Sequence, residues 1–304
     1  MKYNYIINVR DNEKLRASFN ELTQKVYGFN FIEWYERGQW GDKYIPHVLE
    51  ENGKVVSNVS VNLMEFDVSG KIKKYIQLGT VMTDPDYRGQ GLNRYIVEKI
   101  LEEYREKVDG IYLFGNDSVL EYYPRFGFIP IKEYEYSRKV YREKEAITSI
   151  GRNAYRIEKI DMSCQKACDK LYSAITEYNS SVKGNNQNNG FSMCDNLGLY
   201  QFWLAAEFEE SVYYLPDMGA YIIADLKADT LKIYEMISKN VIDIDKISAS
   251  FGNVSEIKLG FTPAKKEGYD INPHIVEDCT LFIMGDSLKR VETEKMMFPE
   301  ISHA

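Results

Sequence analysis

A chain of 304 residues can bury one large core or two ordinary ones, and 44% hydrophobic with 28% charged residues is the balance of a soluble globular protein. A formal net charge of −8 without any dense Lys/Arg run excludes a nucleic-acid backbone as the main partner. The N-terminus MKYNYIINVRDNEK lacks an apolar leader core and nowhere do about 18 apolar residues run together, so no membrane partner and a cytoplasmic location are expected.

The first half alternates element types. YNYIINV (3–9) alternates as a strand does. DNEKLRASFNELTQKVYG (11–28) carries Leu15, Phe19, Leu22 and Val26 at helical spacing, with Asp11 placed to cap it and Gly28 to stop it. YIPHVLE (44–50) and KVVSNVSVNLMEFDV (54–68) flank Asn52-Gly53, the strongest short hairpin signal. A second turn at Ser69-Gly70 leads into a strand over 71–83. GLNRYIVEKILEEYREK (91–107) repeats Leu92, Ile96, Ile100 and Tyr104 along one helical face. GIYLFGN (110–116) reads as a buried strand, SVLEYYPRF (118–126) as a short helix and GFIPIKEYEYSRKV (127–140) as one last strand. This order predicts an α/β (α+β) mixed sheet with helices on both faces.

Around 141–153 the pattern breaks, which divides the chain into domains 1–145 and 146–304. YRIEKI (155–160) and CQKACDKLYSAITEY (164–178) then repeat the opening strand–helix order. The cysteines are Cys164, Cys168, Cys194 and Cys279; without a Cys-x-x-Cys pair, no metal and no disulfide framework are expected. NSSVKGNNQNNG (179–190) reads as a polar, mobile loop, and 221–237 as a hairpin around Lys227–Asp229. KLGFTP (258–263) echoes RFGFIP (125–130), which suggests a degenerate second copy of the first domain.

The stretch TDPDYRGQGLNRYIV (83–97) carries the chemistry. A P-loop needs Gly-x4-Gly-Lys-Ser/Thr, which is absent, and a dinucleotide fingerprint starting at Gly89 would need glycine where Arg94 stands. What remains is a glycine-bracketed turn between a strand and the N-terminus of a long helix. Free backbone N–H groups and the helix dipole favour an anion there, and Arg88 and Arg94 add charge. Pyrophosphate is the natural guest, and no counterpart of RGQG occurs after residue 150.

These residues resemble the phosphate loop of the GCN5-related N-acetyltransferases, Arg/Gln-x-x-Gly-x-Gly/Ala. Arg88, Gly89, Gln90, Gly91 and Leu92 fit that pattern, and Asn93 departs from it at the last position. Downstream, Asn116 and EYYPRFGF (121–128) resemble the family's Asn…Tyr-x-x-x-Gly-Phe segment. The YYPRFGFIP stretch is also similar to the enhanced-intracellular-survival acetyltransferases, which pair such a lobe with a degenerate one and add a third for which this chain is too short.

The resemblance implies a mostly antiparallel GNAT-like sheet over 1–145, a degenerate second lobe without the phosphate loop, and acetyl-CoA as co-substrate with no metal. It implies that Val81, Met82 and Thr83 pair with the pantetheine arm, with a backbone N–H near Met82 polarising the thioester. Arg88–Arg94 would hold the pyrophosphate, Asn116 the pantetheine, and Tyr123 would protonate the departing thiolate, with Tyr122 its packing neighbour. The expected reaction is direct acetyl transfer to a primary amine of a small molecule or peptide; a non-catalytic acyl-CoA-binding module or sensor is the alternative. For the base, Glu33, Glu36 and Asp42 lie in the segment that lines the acceptor cleft in the family, and the Ala304 carboxylate corresponds to the base of the survival-type enzymes. His47, His274 and His303 are isolated and read as structural or surface residues, and a homodimer stays open.

Overall fold

The computed structural model describes residues 2–140 and 154–303. In chain order the first segment holds β1 (Asn4–Ile7), α1 (Glu13–Tyr27), α2 (Ile32–Glu36), β2 (Tyr44–Glu51), β3 (Lys54–Val68), β4 (Lys71–Thr83), α3 (Leu92–Tyr104), β5 (Gly110–Gly115), β6 (Ile129–Ile131) and β7 (Glu133–Lys139). The second holds β8 (Glu158–Lys159), α4 (Gln165–Val182), β9 (Asn189–Met193), α5 (Leu197–Ala206), β10 (Val212–Leu215), β11 (Ala220–Lys227), β12 (Thr230–Ile237), α6 (Ile244–Ser250), β13 (Glu256–Leu259), β14 (Thr262–Pro263), β15 (Asp270–His274), β16 (Thr280–Met284) and α7 (Arg290–Thr293).

Local chemistry places most boundaries where the sequence puts them. α1 ends at Gly28 in the left-handed region (φ +81°), whose N–H bonds the Gln24 carbonyl. The cap at its other end is Asn12 rather than Asp11: the Asn12 side chain accepts the Leu15 N–H at 3.1 Å. Asn52-Gly53 and Ser69-Gly70 both take positive φ at both positions, the hairpin turn that matches strand twist. α3 buries Leu92, Ile96, Val97, Ile100 and Leu101 against Val56, Val61, Ile76 and Leu113 of the sheet.

The two sheets repeat one plan. The first runs β1-β2-β3-β4-β5-β16-β6, with β9 and β14 added beside β3; the second runs β8-β10-β11-β12-β13-β7-β15. In each, a central parallel pair, β4 with β5 and β12 with β13, carries a crossover helix between its strands, α3 and α6. The degenerate second copy is therefore real, but the echoed hexapeptides do not correspond: Gly127 ends a 3-10 turn at φ +93°, while Gly260 directly follows β13. The sheets also exchange strands. β7 lies in the second sheet between β13 and β15, and β16 lies in the first between β5 and β6. The segment 127–140 is thus two strands, split at Lys132, serving different sheets.

One region departs from its expected character. The polar run 179–190 is not a loose loop: α4 continues to Val182, and the asparagines organise the rest. Asn186 Oδ1 accepts the Asn188 and Asn189 N–H groups, and Asn189 Nδ2 donates to the buried Glu235 at 2.7 Å. Asparagines that satisfy backbone groups build a turn as firmly as apolar contacts do. Between the lobes, Phe66, Tyr112, Tyr178, Phe191 and Phe298 share one buried core.

Candidate active site

The first sheet opens at its centre. β4 and β5 are paired only at Tyr75–Gly110, Ile76–Ile111 and Gln77–Tyr112. Beyond that point β5 stays with β16 and β4 stays with β3, so the two strands part. A register shift in β3 between Asn58 and Ser60, opposite Thr80 at φ +47°, accentuates the parting. The Asp84 N–H bonds the Val56 carbonyl on β3, so by alternation Met82 also turns its backbone groups toward β3. Val81 and Thr83 turn theirs to the open side. Tyr27 Oη donating to the Val81 carbonyl at 2.6 Å and Arg88 Nε reaching the Thr83 carbonyl mark that side. The N–H groups that face the opening on this strand are those of Val81 and Thr83, and Met82 packs its side chain among Phe19, Phe31 and Trp34.

The phosphate-loop residues follow directly. Asp84, 1% exposed, accepts Lys25 Nζ at 2.8 Å and Lys54 Nζ at 2.7 Å, and its Oδ1 caps the 3-10 turn Pro85–Tyr87 through the Asp86 N–H. Burial works to raise its pKa, but these hydrogen bonds outweigh burial and hold it down at about 2. Gly89 and Gly91 take φ of +77° and +73°, where a Cβ is strained, and the space beyond each is open. Gly91 is the N-cap of α3 and supplies no side chain to its first amides, so the helix start faces outward. Arg88, Gln90 and Arg94 are exposed around it. Gln90 Oε1 accepts the Tyr3 hydroxyl at 2.6 Å. Asn93, the departure from the family pattern, accepts Ser57 Oγ at 2.6 Å and so pins the start of α3, whose Leu92 is buried, to the beginning of β3. These residues fit a pyrophosphate: outward amides, unblocked glycines and two flanking arginines. At the same place in the second lobe the Asp243 side chain itself accepts the Asp245 and Lys246 N–H groups of α6, which leaves no such vacancy for an anion.

Tyr123 opens a 3-10 turn over Tyr123–Phe126 that is stiffened by Pro124 and closed by Gly127. Its ring is 3% exposed, wedged between Tyr122, Phe128 and Phe282 at centroid distances of 5.1, 5.9 and 5.4 Å. Burial first, then the neighbouring Tyr122 and Tyr27 phenols, raise its pKa, so it is a protonated phenol at neutral pH. Asn116 is exposed at the end of β5, and its Oδ1 accepts the Ser118 N–H and hydroxyl.

Beside the opening lies a cavity of about 530 Å³. Tyr27, Phe29, Phe31, Trp34 and Tyr44 line it from the first lobe, and Leu199, Phe202 and Trp203 of α5 line it from the second. Trp34 Nε1 donates to the Gly198 carbonyl at 3.0 Å, and a Cβ at Gly198 would sit 2.8 Å from the Gln39 carbonyl. Glycine is what lets α5 close on α2. Tyr44 Oη, Ser60 Oγ and Thr80 Oγ1 are linked at 2.9 and 2.8 Å beneath the aromatic walls.

The carboxylates of 31–42 do not reach this cavity. Glu33 pairs with Arg37, Asp42 with Arg10, both in solvent, and Glu36 lies on the other side of α2. Ala304 lies outside the described residues. His47 is buried with Nδ1 against Tyr5 Oη at 2.6 Å, and burial lowers its pKa to about 4. His274 approaches Glu135, and the His303 ring stacks on Phe114 while its carbonyl accepts Trp203 Nε1. None of the three lines the aromatic cavity. The part of the site that sequence reading missed is α5; the run LGLYQFWLAA folds as a helix, but nothing local aims it at Trp34, 164 positions upstream.

No group of three or more metal-binding side chains exists among the described residues, and none of their helices is long and apolar enough to cross a membrane. The profile of the acetyltransferase (GNAT) domain matches residues 6–131. Eis1 from Mycobacterium abscessus is similar in structure at a TM-score of 0.55 with 12% identity, over 92% of this chain and 73% of that one. A conserved protein of unknown function from Enterococcus faecalis V583 is similar at a TM-score of 0.53 with 15% identity, over 93% of this chain and 70% of that one. A protein of Melanoplus sanguinipes entomopoxvirus, named as a candidate glycylpeptide N-tetradecanoyltransferase, is 25% identical over 83 residues; the match spans 27% of this chain and 28% of that relative. Residues 6–131 thus match a GNAT acetyltransferase domain, and the second half repeats the plan of that sheet without a counterpart of the RGQG loop.

Proposed function

We propose that the chain transfers an acetyl group from acetyl-CoA to a primary amine of a small molecule or peptide by direct attack. The observation that supports this reading is the parting of β4 from β5 beyond Gln77–Tyr112, where the Tyr27 hydroxyl ties the aromatic cavity to the free edge of β4 at Val81. Bound acetyl-CoA supplies a thioester whose carbonyl carbon takes the amine and whose C–S bond breaks.

The chain's own residues do the rest. The outward amides at Gly91 and the Arg88 and Arg94 guanidiniums bind the pyrophosphate. Val81 and Thr83 pair with the pantetheine amides, and one of their N–H groups meets the charge that develops on the carbonyl oxygen. Tyr123 gives its proton to the departing sulfur, the role its burial suits by keeping it protonated, and the proton shed by the acylated nitrogen restores the phenol. The cavity holds the acceptor in line with the opening, so no enzyme nucleophile takes part.

Calorimetric titration of acetyl-CoA against wild type and a Gly91→Trp variant tests the reading. Saturable binding that the variant loses supports it, and thiol release with an amine then separates enzyme from binding module. Wild type that takes up no acetyl-CoA would overturn it.

A further inference from the structure

We infer that the acceptor amine is carried on an apolar, aromatic body of one or two rings, and that α5 of the second lobe selects it. This rests on the acetyl-transfer reading for the reaction but not for the binding.

The cavity walls decide the chemistry. Tyr27, Phe29, Phe31, Trp34, Phe202 and Trp203 are its main surfaces, and its charged lining residues are Lys43 and Glu207. Lys43 is already paired with Asp195 at 2.7 Å, and Glu207 is exposed. A polyamine or an aminosugar would bring several cations or hydroxyls against walls that are mostly aromatic and apolar, where burying such groups unpaired is costly. A single amine over aromatic faces is favoured instead. About 530 Å³ is the size range of sites for small organic ligands. Among the polar lining residues, Asn62 is 2% exposed and its Nδ2 has no hydrogen-bond partner among the described residues. It can take one acceptor atom of the ligand.

The same walls bear on the proton. Desolvation lowers the pKa of an ammonium group, so an apolar cavity favours the neutral amine that attacks. At its mouth Tyr27 and Phe29 stay 47% and 39% exposed, which continues the apolar surface outward.

Two of the three tryptophans, Trp34 and Trp203, line the cavity, so emission reports occupancy without any cofactor. The experiment titrates 2-phenylethylamine, spermidine and glucosamine against wild type, Phe202→Glu and Ala206→Trp. Saturable quenching or enhancement is expected with 2-phenylethylamine, at least about tenfold tighter than with the other two. Phe202→Glu should weaken that binding about tenfold and improve spermidine; Ala206→Trp, at an exposed lining position, should weaken it without burying a charge. Unchanged acetyl-CoA titration certifies that each variant is folded. Spermidine or glucosamine binding as well as 2-phenylethylamine, or no amine saturating the signal, would overturn the inference. Phenylethylamine binding without acetyl-CoA binding would instead sink the acetyl-transfer reading alone.

Discussion

Tyr27, the last residue of α1, donates its phenolic hydrogen to the carbonyl of Val81 at 2.6 Å, across 54 positions of chain. That bond joins the helix bordering the aromatic cavity to the strand edge that faces the gap between β4 and β5. It also brings the Tyr27 phenol close enough to Tyr123 to help raise that residue's pKa. Through Tyr27 the cavity wall therefore touches both the free edge of β4 and the surroundings of Tyr123.

Tyr123→Phe tests the acid. Phenylalanine keeps the ring contacts with Tyr122, Phe128 and Phe282, so acetyl-CoA affinity and thermal stability should hardly change. Turnover should fall about 100-fold, the usual scale for losing a positioned proton donor. Steady-state kinetics beside calorimetry would show it; an unchanged kcat would remove Tyr123 from the mechanism.

Asp84 tests the support of the phosphate loop. Its carboxylate is held at about 2 by Lys25, Lys54 and the Asp86 N–H against the opposing effect of burial. A carboxylate depressed in the folded state stabilises the fold above its unfolded value near 4, and that contribution drains away as pH falls toward 2. Asp84→Ala should therefore lower stability at pH 7 by about 1–3 kcal/mol and flatten the acid limb of the unfolding curve. Acetyl-CoA should bind several-fold more weakly, because the turn leading into Arg88 loses its cap. Denaturant melts from pH 2 to 7 would decide; a steep acid limb retained in the variant would contradict the assignment.

How much of this could be read from the sequence varies with the range of the interaction. The RGQG loop, the two hairpins and the Gly28 stop are local, set by glycine conformation and helix ends, and all stand where the sequence puts them. Asn12 displaced Asp11 as cap because two adjacent residues can each cap and only the three-dimensional entry angle chooses. The strand exchange was illegible: IPIKEYEYSRK alternates as one strand, and no local signal says that β7 leaves for the other sheet at Lys132. The cavity was half legible, since the aromatics of 29–44 stand out while α5 reaches them only through tertiary packing.

Glu133 predicts a stability change on the alkaline side. Burial raises its carboxyl to about 8, with the Phe298 N–H opposing and the Glu300 charge adding to the rise. A carboxyl raised in the folded state contributes stability that is full below its unfolded value near 4.5 and is lost as pH climbs through 8. Glu133→Gln keeps an oxygen for the Phe298 N–H and carries no charge, so it should raise Tm at pH 8 by about 2 °C or more while changing little at pH 4. Equal pH dependence in both proteins would refute it.

Strand exchange makes the halves interdependent. Residues 1–145 alone would leave β5 and β6 without β16 between them, and β7 without β13. Expressed alone this segment should be insoluble or molten, and co-expression with 146–304 should recover soluble material, as size-exclusion chromatography and circular dichroism would show. A folded, monomeric 1–145 would contradict the topology.

The most direct test of the central claim is single-turnover thiol release from acetyl-CoA, with 2-phenylethylamine as acceptor, by wild type, Tyr123→Phe and Gly91→Trp. The expected result is amine-dependent release by wild type, release slowed about 100-fold by Tyr123→Phe at full cofactor occupancy, and none from Gly91→Trp for want of binding. Wild-type binding of acetyl-CoA with no thiol released to any primary amine would contradict it, and would make the opening a binding site rather than an active site.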